Sequence, residues 1–228
     1  MISAKKVAAS AAILSFVLMG SAPAQDYDPN IAGSSDAVGA QKVLLEAARD
    51  LHQLRSNPQF TDLLQKTKGV FIVPEMVKGA FGFGAAGGTG ILVAHQSGRW
   101  SNPAFLTIAS FSFGAQAAWE AGPVFIFMMS DKSLADFTQM SHLLFYGEAG
   151  LTVATWRSNA WFPIGESDVA VWSGENGAYV GLIVGGSDVH DKTSYDKAYY
   201  DNKYTEAKQI IGSQGDPNAG ALLNELPG

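Results

Sequence analysis

The chain has 228 residues, 47% of them apolar, no cysteine and a formal net charge of −6. That length makes one large domain or at most two small ones, with enough apolar residues for a sizeable core. The absence of cysteine removes disulfides, thiolate nucleophiles and Cys-ligated metals, and the acidic balance argues against nucleic acid and against plain electrostatic docking to anionic lipid.

Residues 1–24 read as a secretory signal. Lys5 and Lys6 form a positive start, an apolar run follows from Val7 to Met19, and Ala22-Pro23-Ala24 supplies the small-x-small site of signal peptidase. The run is about 13 residues, short of the roughly 20 that span a bilayer. With no cysteine to carry a lipid anchor, the expected location is periplasmic or secreted and not lipid-anchored. Removing the leader takes away two lysines and no acid, leaving 13 basic against 21 acidic residues, a net charge of −8.

Residues 25–35 read as a flexible lead. Asp36 to Arg55 has helical period, with Ser35 or Asp36 as cap. Leu44, Ala47, Ala48, Leu51 and Leu54 make its apolar face, and Lys42, Glu46, Arg49 and Gln53 line the opposite one. Pro58 opens a second helix to about Thr67, with Phe60, Leu63 and Leu64 apolar. From Lys68 the period changes. Gly69 to Val73 predicts a short buried strand stopped by Pro74. Val77 to Val93 predicts two strands turning near Ala86-Gly87-Gly88. A further strand pair lies around Phe105–Ile108 and Phe111–Phe113, and Val124 to Met129 is a continuous apolar strand.

Ser130 caps a predicted helix from Asp131 to Leu144. A strand from Gly150 to Trp156 leads into a loop to Gly165. Val169–Trp172 and Tyr179–Val184 predict a hairpin around Asn176-Gly177. Tyr195 to Ile211 reads as helix, and residues 212–228 as a loose tail with one helical turn at Ala221–Leu226. The glycines between Gly69 and Gly186 lie inside apolar runs, where they mark bulges, bends and close backbone approach. The fold class is α+β: a strongly curved or barrel-like antiparallel sheet with N-terminal helices and one inserted helix, in a single domain spanning residues 36–211.

Chemical motifs are sparse. Gly82-Phe83-Gly84-Ala85-Ala86-Gly87 satisfies the dinucleotide fingerprint, but the sequel Gly88-Thr89-Gly90-Ile91-Leu92-Val93 is strand-like, and no helix opens to hold a pyrophosphate. Ser194-Tyr195-Asp196-Lys197 matches S-x-x-K without its partner motifs. His52, His95, His142 and His190 are all more than four residues apart; His190 beside Asp188 and Asp191 reads as a solvated acidic turn in preference to a cation site. Asp26, Asp28 and Asn30 follow a calcium loop for three positions only. The expectation is therefore a non-catalytic binding module with no catalytic residue, metal ligand or cofactor. Trp156 and Trp161 flank Arg157-Ser158-Asn159 in a predicted loop. With Phe162 they form the candidate exposed apolar patch.

The order of segments resembles the SYLF lipid-binding domain family, which includes the yeast SH3-containing actin-patch proteins. Lys68-Gly69-Val70-Phe71-Ile72-Val73-Pro74, then Gly82-Phe83-Gly84, look like its opening. Gly98-Arg99-Trp100-Ser101-Asn102-Pro103-Ala104-Phe105 is similar to its G-x-W-S-x-P element, and Ser112-Phe113-Gly114-Ala115-Gln116 to its S-x-G-x-Q strand. Asp168-Val169 to Ser173, Gly177, Gly181 and Tyr199-Tyr200 resemble its closing hairpin and aromatic end. The likeness runs from about Ala37 to Tyr200.

This resemblance implies lipid binding without catalysis, with phospholipid or phosphoinositide-like ligands, by an exported bacterial type of the domain acting in the cell envelope. Eukaryotic relatives place the lipid contact on a basic N-terminal helix. The matching helix is Asp36–Arg55, which makes Lys42, Arg49 and Arg55 the implied contacts alongside Trp156, Arg157, Trp161 and Phe162. Here Asp36, Glu46 and Asp50 offset the three cations, and Trp156–Phe162 replaces a Gly-Pro-rich stretch. Export makes actin a poor partner. A structural or protein-interaction role in the envelope, without a lipid ligand, stays open on the sequence, as does the oligomeric state.

Overall fold

The structure, a computed structural model, describes residues 29–80, 83–113, 120–139, 142–143, 151–155, 158–162, 169–173 and 187–227. Two helices come first, α1 (Pro29–Leu54) and α2 (Pro58–Lys66). Strands β1 (Gly69–Ala80), β2 (Phe83–Gln96), β3 (Arg99–Trp100), β4 (Ala104–Phe113) and β5 (Glu120–Met128) follow. After α3 (Asp131–Gln139) come β6 (His142–Leu143), β7 (Leu151–Thr155), β8 (Ser158–Phe162), β9 (Val169–Ser173) and β10 (Ser187–Asp191). The chain closes with α4 (Thr193–Tyr199), α5 (Ala207–Ile211), a 3₁₀ turn at Pro217–Ala219, and α6 (Gly220–Leu223).

The strands form one sheet in the order β6-β10-β4-β2-β1-β5-β9-β7-β8, with β3 paired to β2. Every pairing is antiparallel except β7 with β9, which is parallel. The α+β class holds, but barrel closure does not. The sheet is open, ending on β6 and β8, because helices cover both of its faces. Val70, Ile72, Ile91, Val93, Phe105, Phe125, Phe127 and Trp172 face α1, α2 and α6. Phe71, Val73, Leu92, Ala94, Leu106, Val124, Ile126 and Met128 face α3 and α5. Strands buried on both faces read as unbroken apolar runs, which is why Val70–Val73 and Val124–Met128 show no polar alternation.

Two strands are longer than the sequence predicts. β1 runs through Pro74, and its register slips between Ile72 and Val77 against β2 and between Val73 and Met76 against β5. This bulge absorbs the missing proline N–H. Ala86-Gly87-Gly88 is not a turn but the middle of β2. The bulged backbone of β1 presses on β2 there. A Cβ on Gly88 would sit 2.5 Å from Val73 Cγ1 and 2.6 Å from the Glu75 carbonyl oxygen, and one on Gly90 would strike the Ile72 carbonyl oxygen. The glycines therefore serve close approach inside an open sheet. Similarly, Ala104–Phe113 is one strand and not a pair.

The helices differ from expectation at their ends. α1 already begins at Pro29, inside the segment read as a flexible lead. α3 stops at Gln139, and His142–Leu143 joins β10 instead. The C-terminal helix is broken in two where Asp201 and Asn202 adopt positive φ. The segment after residue 212 is docked and not loose: Ala219, Leu222 and Leu226 are buried, and the Trp100 indole Nε1 donates to the Pro227 carbonyl at 2.7 Å. The signal sequence and the Asn176-Gly177 turn lie outside the described residues.

α2 is fixed by an Asn57 cap whose Oδ1 accepts from the backbone N–H of Gln59 and Phe60 at 3.0 and 3.2 Å, with Pro58 at the first helical position. It plants Phe60 edge-on against Phe125, Phe127 and Trp172 at centroid distances of 5.0, 5.5 and 5.5 Å. Truncating this ring leaves a cavity under α2. Phe60→Ala is expected to cost about 3–5 kcal/mol, measured as a lowered denaturant midpoint at unchanged slope. A loss below about 1 kcal/mol would show that the aromatic cluster does not hold α2.

Candidate functional site

The feature least explained by the fold is the outer side of α1. Its inner side is spent: Ala40, Leu44, Ala47, Ala48, Leu51 and Leu54 are buried. Outward, Val38, Lys42, Leu45, Arg49 and His52 follow at alternating steps of four and three, which places them in one stripe along the helix. Val38 is 69% exposed and Leu45 50%, the largest exposures of large apolar side chains among the described residues. They alternate with exposed cations along the stripe.

Each basic residue expected on this helix has an acidic partner. Lys42 Nζ lies 3.7 Å from Glu46 Oε1, and Arg49 Nη2 lies 3.3 Å from Asp50 Oδ1. Asp50 is buried, and this burial raises its carboxyl above the ordinary range while Arg49 pulls it down. Arg55 is different. Its Nη1 lies 2.8 Å from Oε2 of Glu225, at the far end of the chain, and His52 Nδ1 reaches the same oxygen at 3.2 Å. Glu225 was invisible to sequence reasoning because nothing local links positions 170 residues apart. Val38 and Leu45 could have been found by projecting the helix and asking which apolar residues fall outside the main face.

The aromatic part of the predicted site falls elsewhere. Trp156 and Arg157 lie outside the described residues. Trp161 and Phe162 belong to β8, paired with Ala154 and Val153 of β7, so this stretch is partly strand and not a free loop; their side chains lie outside what is described. α1 packs over β1 and β2, whereas β5, β9 and β7 separate β1 from β8. The structure therefore does not bring Lys42, Arg49 and Arg55 together with the Trp161–Phe162 segment.

What positions α1 is α4. Tyr195 crosses α1 at Gly39, where a Cβ would come within 2.6 Å of the phenol Cζ. The turn that begins α4 is tied to β4 by Asp196, fully buried, whose Oδ1 accepts the Phe105 backbone N–H at 3.0 Å. Tyr200 adds a bond from its hydroxyl to the Pro103 carbonyl at 2.7 Å. Asn102 accepts from the Asp216 N–H and donates to Ser213 Oγ, both at 2.9 Å. The Trp100-to-Phe105 motif is thus the hub to which the C-terminal third is fastened. Asp196 Oδ2, Asp216 Oδ2 and the Tyr199 hydroxyl are buried without hydrogen-bond partners. Burial, and then Asp216 nearby, pushes the Tyr199 phenol above its usual range, although the two groups fall short of hydrogen-bond geometry.

On the opposite face a cleft of about 230 Å³ is lined by Leu106, Phe137, Thr138, Gln139, Val189, His190 and Asp191. Its polar groups already serve the fold: Thr138 bonds the carbonyls of Leu134 and Ala135, and Asp191 Oδ1 accepts the Ala207 N–H. Among the described residues no group of three or more His, Cys, Asp or Glu could hold a metal ion, and no helix is long and apolar enough to cross a membrane.

The fold defined by the described residues is an α+β domain in which one amphipathic helix lies on the sheet and keeps an outer stripe exposed. The sequence model of the Ysc84 family, described as Las17-binding protein actin regulator, matches residues 109–226, just over half of the chain. The chain belongs to this family, the SYLF domain family that its motifs resemble. No curated protein and no solved structure matches it.

Burial of Asp196 raises its carboxyl to about 7, against the pull of the Phe105 N–H, with Asp191 adding to the rise. A carboxyl whose folded pKa is raised binds its proton more tightly in the folded state. Its contribution is therefore full below the unfolded value near 4 and is lost as pH climbs to about 7. Stability is expected to fall across that window with a slope of up to about 1.4 kcal/mol per pH unit from this group, and Asp196→Asn should flatten the slope. Urea midpoints at several pH values measure it; equal slopes in both proteins would disprove the assignment.

Proposed function

We propose that the chain is a non-catalytic lipid-binding domain, exported to the periplasm or beyond, that docks peripherally on an envelope membrane through the outer stripe of α1. The observation that carries this reading is the exposure of Val38 and Leu45 in alternation with Lys42 and Arg49. An apolar ridge between cations is the pattern of a helix lying in the headgroup layer. Both apolar side chains are already part-covered by the fold, so each has about 1–2 kcal/mol left to gain. Such docking is weak and reversible, and cations near an anionic surface add about 1 kcal/mol each where they are not neutralised. Membership of the SYLF domain family supports the same reading.

The family description names Las17 and actin regulation. A protein partner on the same helix is the competing reading, and it predicts a specific pull-down partner with no vesicle binding. Export rests on Lys5-Lys6, the apolar run to Met19 and Ala22-Pro23-Ala24. The mass of the protein recovered from its host is expected to correspond to a chain starting at Gln25; a retained Met1 would remove export.

Leu45→Asp and Val38→Asp each replace exposed apolar surface with a repelled charge and leave the core untouched. Each is expected to reduce co-sedimentation with anionic phospholipid vesicles about tenfold at unchanged thermal stability. Undiminished binding by both would rule out the α1 stripe as the contact.

A further inference from the structure

We propose that His52 and Arg55 form an anion-binding cradle at the end of the α1 stripe, which the chain's own Glu225 fills and which a phospholipid phosphate takes over on docking. The inference rests on the lipid-docking reading of α1.

Of the basic side chains on α1 and just past its C-terminal end, Lys42 and Arg49 are answered from within the helix, by Glu46 and Asp50. His52 and Arg55 are answered only by a residue of another segment. The donors converge: a single carboxylate oxygen, Glu225 Oε2, lies 2.8 Å from Arg55 Nη1 and 3.2 Å from His52 Nδ1. One anionic oxygen bridging a guanidinium and an imidazole is what a non-ester phosphate oxygen also supplies, and the guanidinium fork suits phosphate as well as carboxylate. Together these contacts hold the Glu225 carboxyl below its ordinary range, Arg55 having the larger effect.

The segment carrying Glu225 is pinned on both sides of it. Leu222 and Leu226 are buried against α1, and the carbonyl of Pro227 receives the Trp100 indole N–H. Glu225 itself only reaches out between these anchors. The Arg55 and His52 side chains are 56% and 69% exposed while Glu225 is 19% exposed, so an incoming anion can reach the two donors from their open side and displace Glu225 from them. An ion pair open to solvent on its Arg55 side is screened there, which lets a competing anion exchange with Glu225. His52 belongs to the same stripe as Val38 and Leu45, so a phosphate in the cradle would leave its acyl chains beside Leu45. Glu225 thus acts as an internal competitor that tunes docking to the density of anionic headgroups.

Glu225→Gln removes the competing charge and keeps the anchors. Its binding to vesicles of equimolar phosphatidylglycerol and phosphatidylcholine is expected to rise roughly fivefold over the unmodified protein. Binding to pure phosphatidylcholine, whose choline offsets its phosphate, should rise less, and adding Arg55→Ala should abolish the gain, a coupling read by a double-mutant cycle. If the unmodified protein binds and Glu225→Gln binds no better, the cradle is refuted while the lipid reading stands. If neither protein binds vesicles, the lipid reading falls, and inorganic phosphate decides the cradle. A shift of the His52 ring resonances on phosphate titration of Glu225→Gln, smaller in the unmodified protein, upholds an anion cradle; no shift overturns it.

Discussion

Over Val70–Val73 the central strand β1 has no solvent face. Val70 and Ile72 point to one helical layer, Phe71 and Val73 to the other, and β2 and β5 occupy its two edges. Everything placed around it must supply apolar cover. α1 supplies much of that cover with Leu44, Leu51 and Leu54, each fully or nearly fully buried. At about 1.5–3 kcal/mol per buried leucine, these three side chains alone contribute on the order of 5–9 kcal/mol, comparable with the whole net stability of an ordinary domain. α1 therefore cannot leave the sheet to enter a bilayer without unfolding the protein. Only its outer stripe is available, which restricts any membrane contact to shallow, peripheral docking.

The buried polar groups follow from the same constraint. A helix held by apolar contact alone can slide, because such contacts carry little direction. The bonds from Asp196 to Phe105, from Tyr200 to Pro103 and from Asn102 to Ser213 and Asp216 are directional. The first two fasten the α4 region to the start of β4 and the last ties the segment after α5 to the same stretch, and Tyr195 on α4 meets α1 at Gly39. The cost is visible in the unpartnered oxygens of Asp196 and Asp216 and in the raised carboxyl of Asp196. A buried carboxyl is an expensive fastener, and the fold tolerates it where register between helix and sheet has to be fixed.

Much of this was legible in the sequence where a single period governs. The inner face of α1 and the apolar residues of α2 obey the helical repeat, and the structure buries them. The sequence misled where one residue type serves two purposes. Pro74 looked like a strand end and is a bulge; Gly87 and Gly88 looked like a turn, and Gly88 makes room for that bulge. The same glycines, read as curvature, suggested a barrel. Asp201 and Asn202 interrupt a stretch whose composition suits one helix. The pairing of Glu225 with Arg55 and His52, and of Trp100 with Pro227, depends on tertiary closure and leaves no local trace. The Trp156–Phe162 segment was read as one loop, yet Ser158–Phe162 pairs with β7, since alternation over five residues is too short to distinguish strand from loop.

The segment that identifies the family, residues 109–226, begins after α1. It nevertheless contains β5 and β9, on whose Phe125, Phe127 and Trp172 the α2 ring of Phe60 is seated. It also contains α4, which crosses α1, and Glu225, which answers Arg55 and His52. The matched half is thus the clamp, and α1 is what it clamps. The clamp sets how much of α1 is buried, which stripe faces outward, and how much positive charge that stripe shows. A helix whose charges cancel within itself, as Lys42–Glu46 and Arg49–Asp50 do, shows little net charge to an anionic surface. Under the proposed cradle, Arg55, just past the helix and answered by Glu225 of a neighbouring segment, gives up attraction to such a surface conditionally. For a chain whose overall charge opposes anionic surfaces, that conditional pair is where a modest change in charge alters docking most.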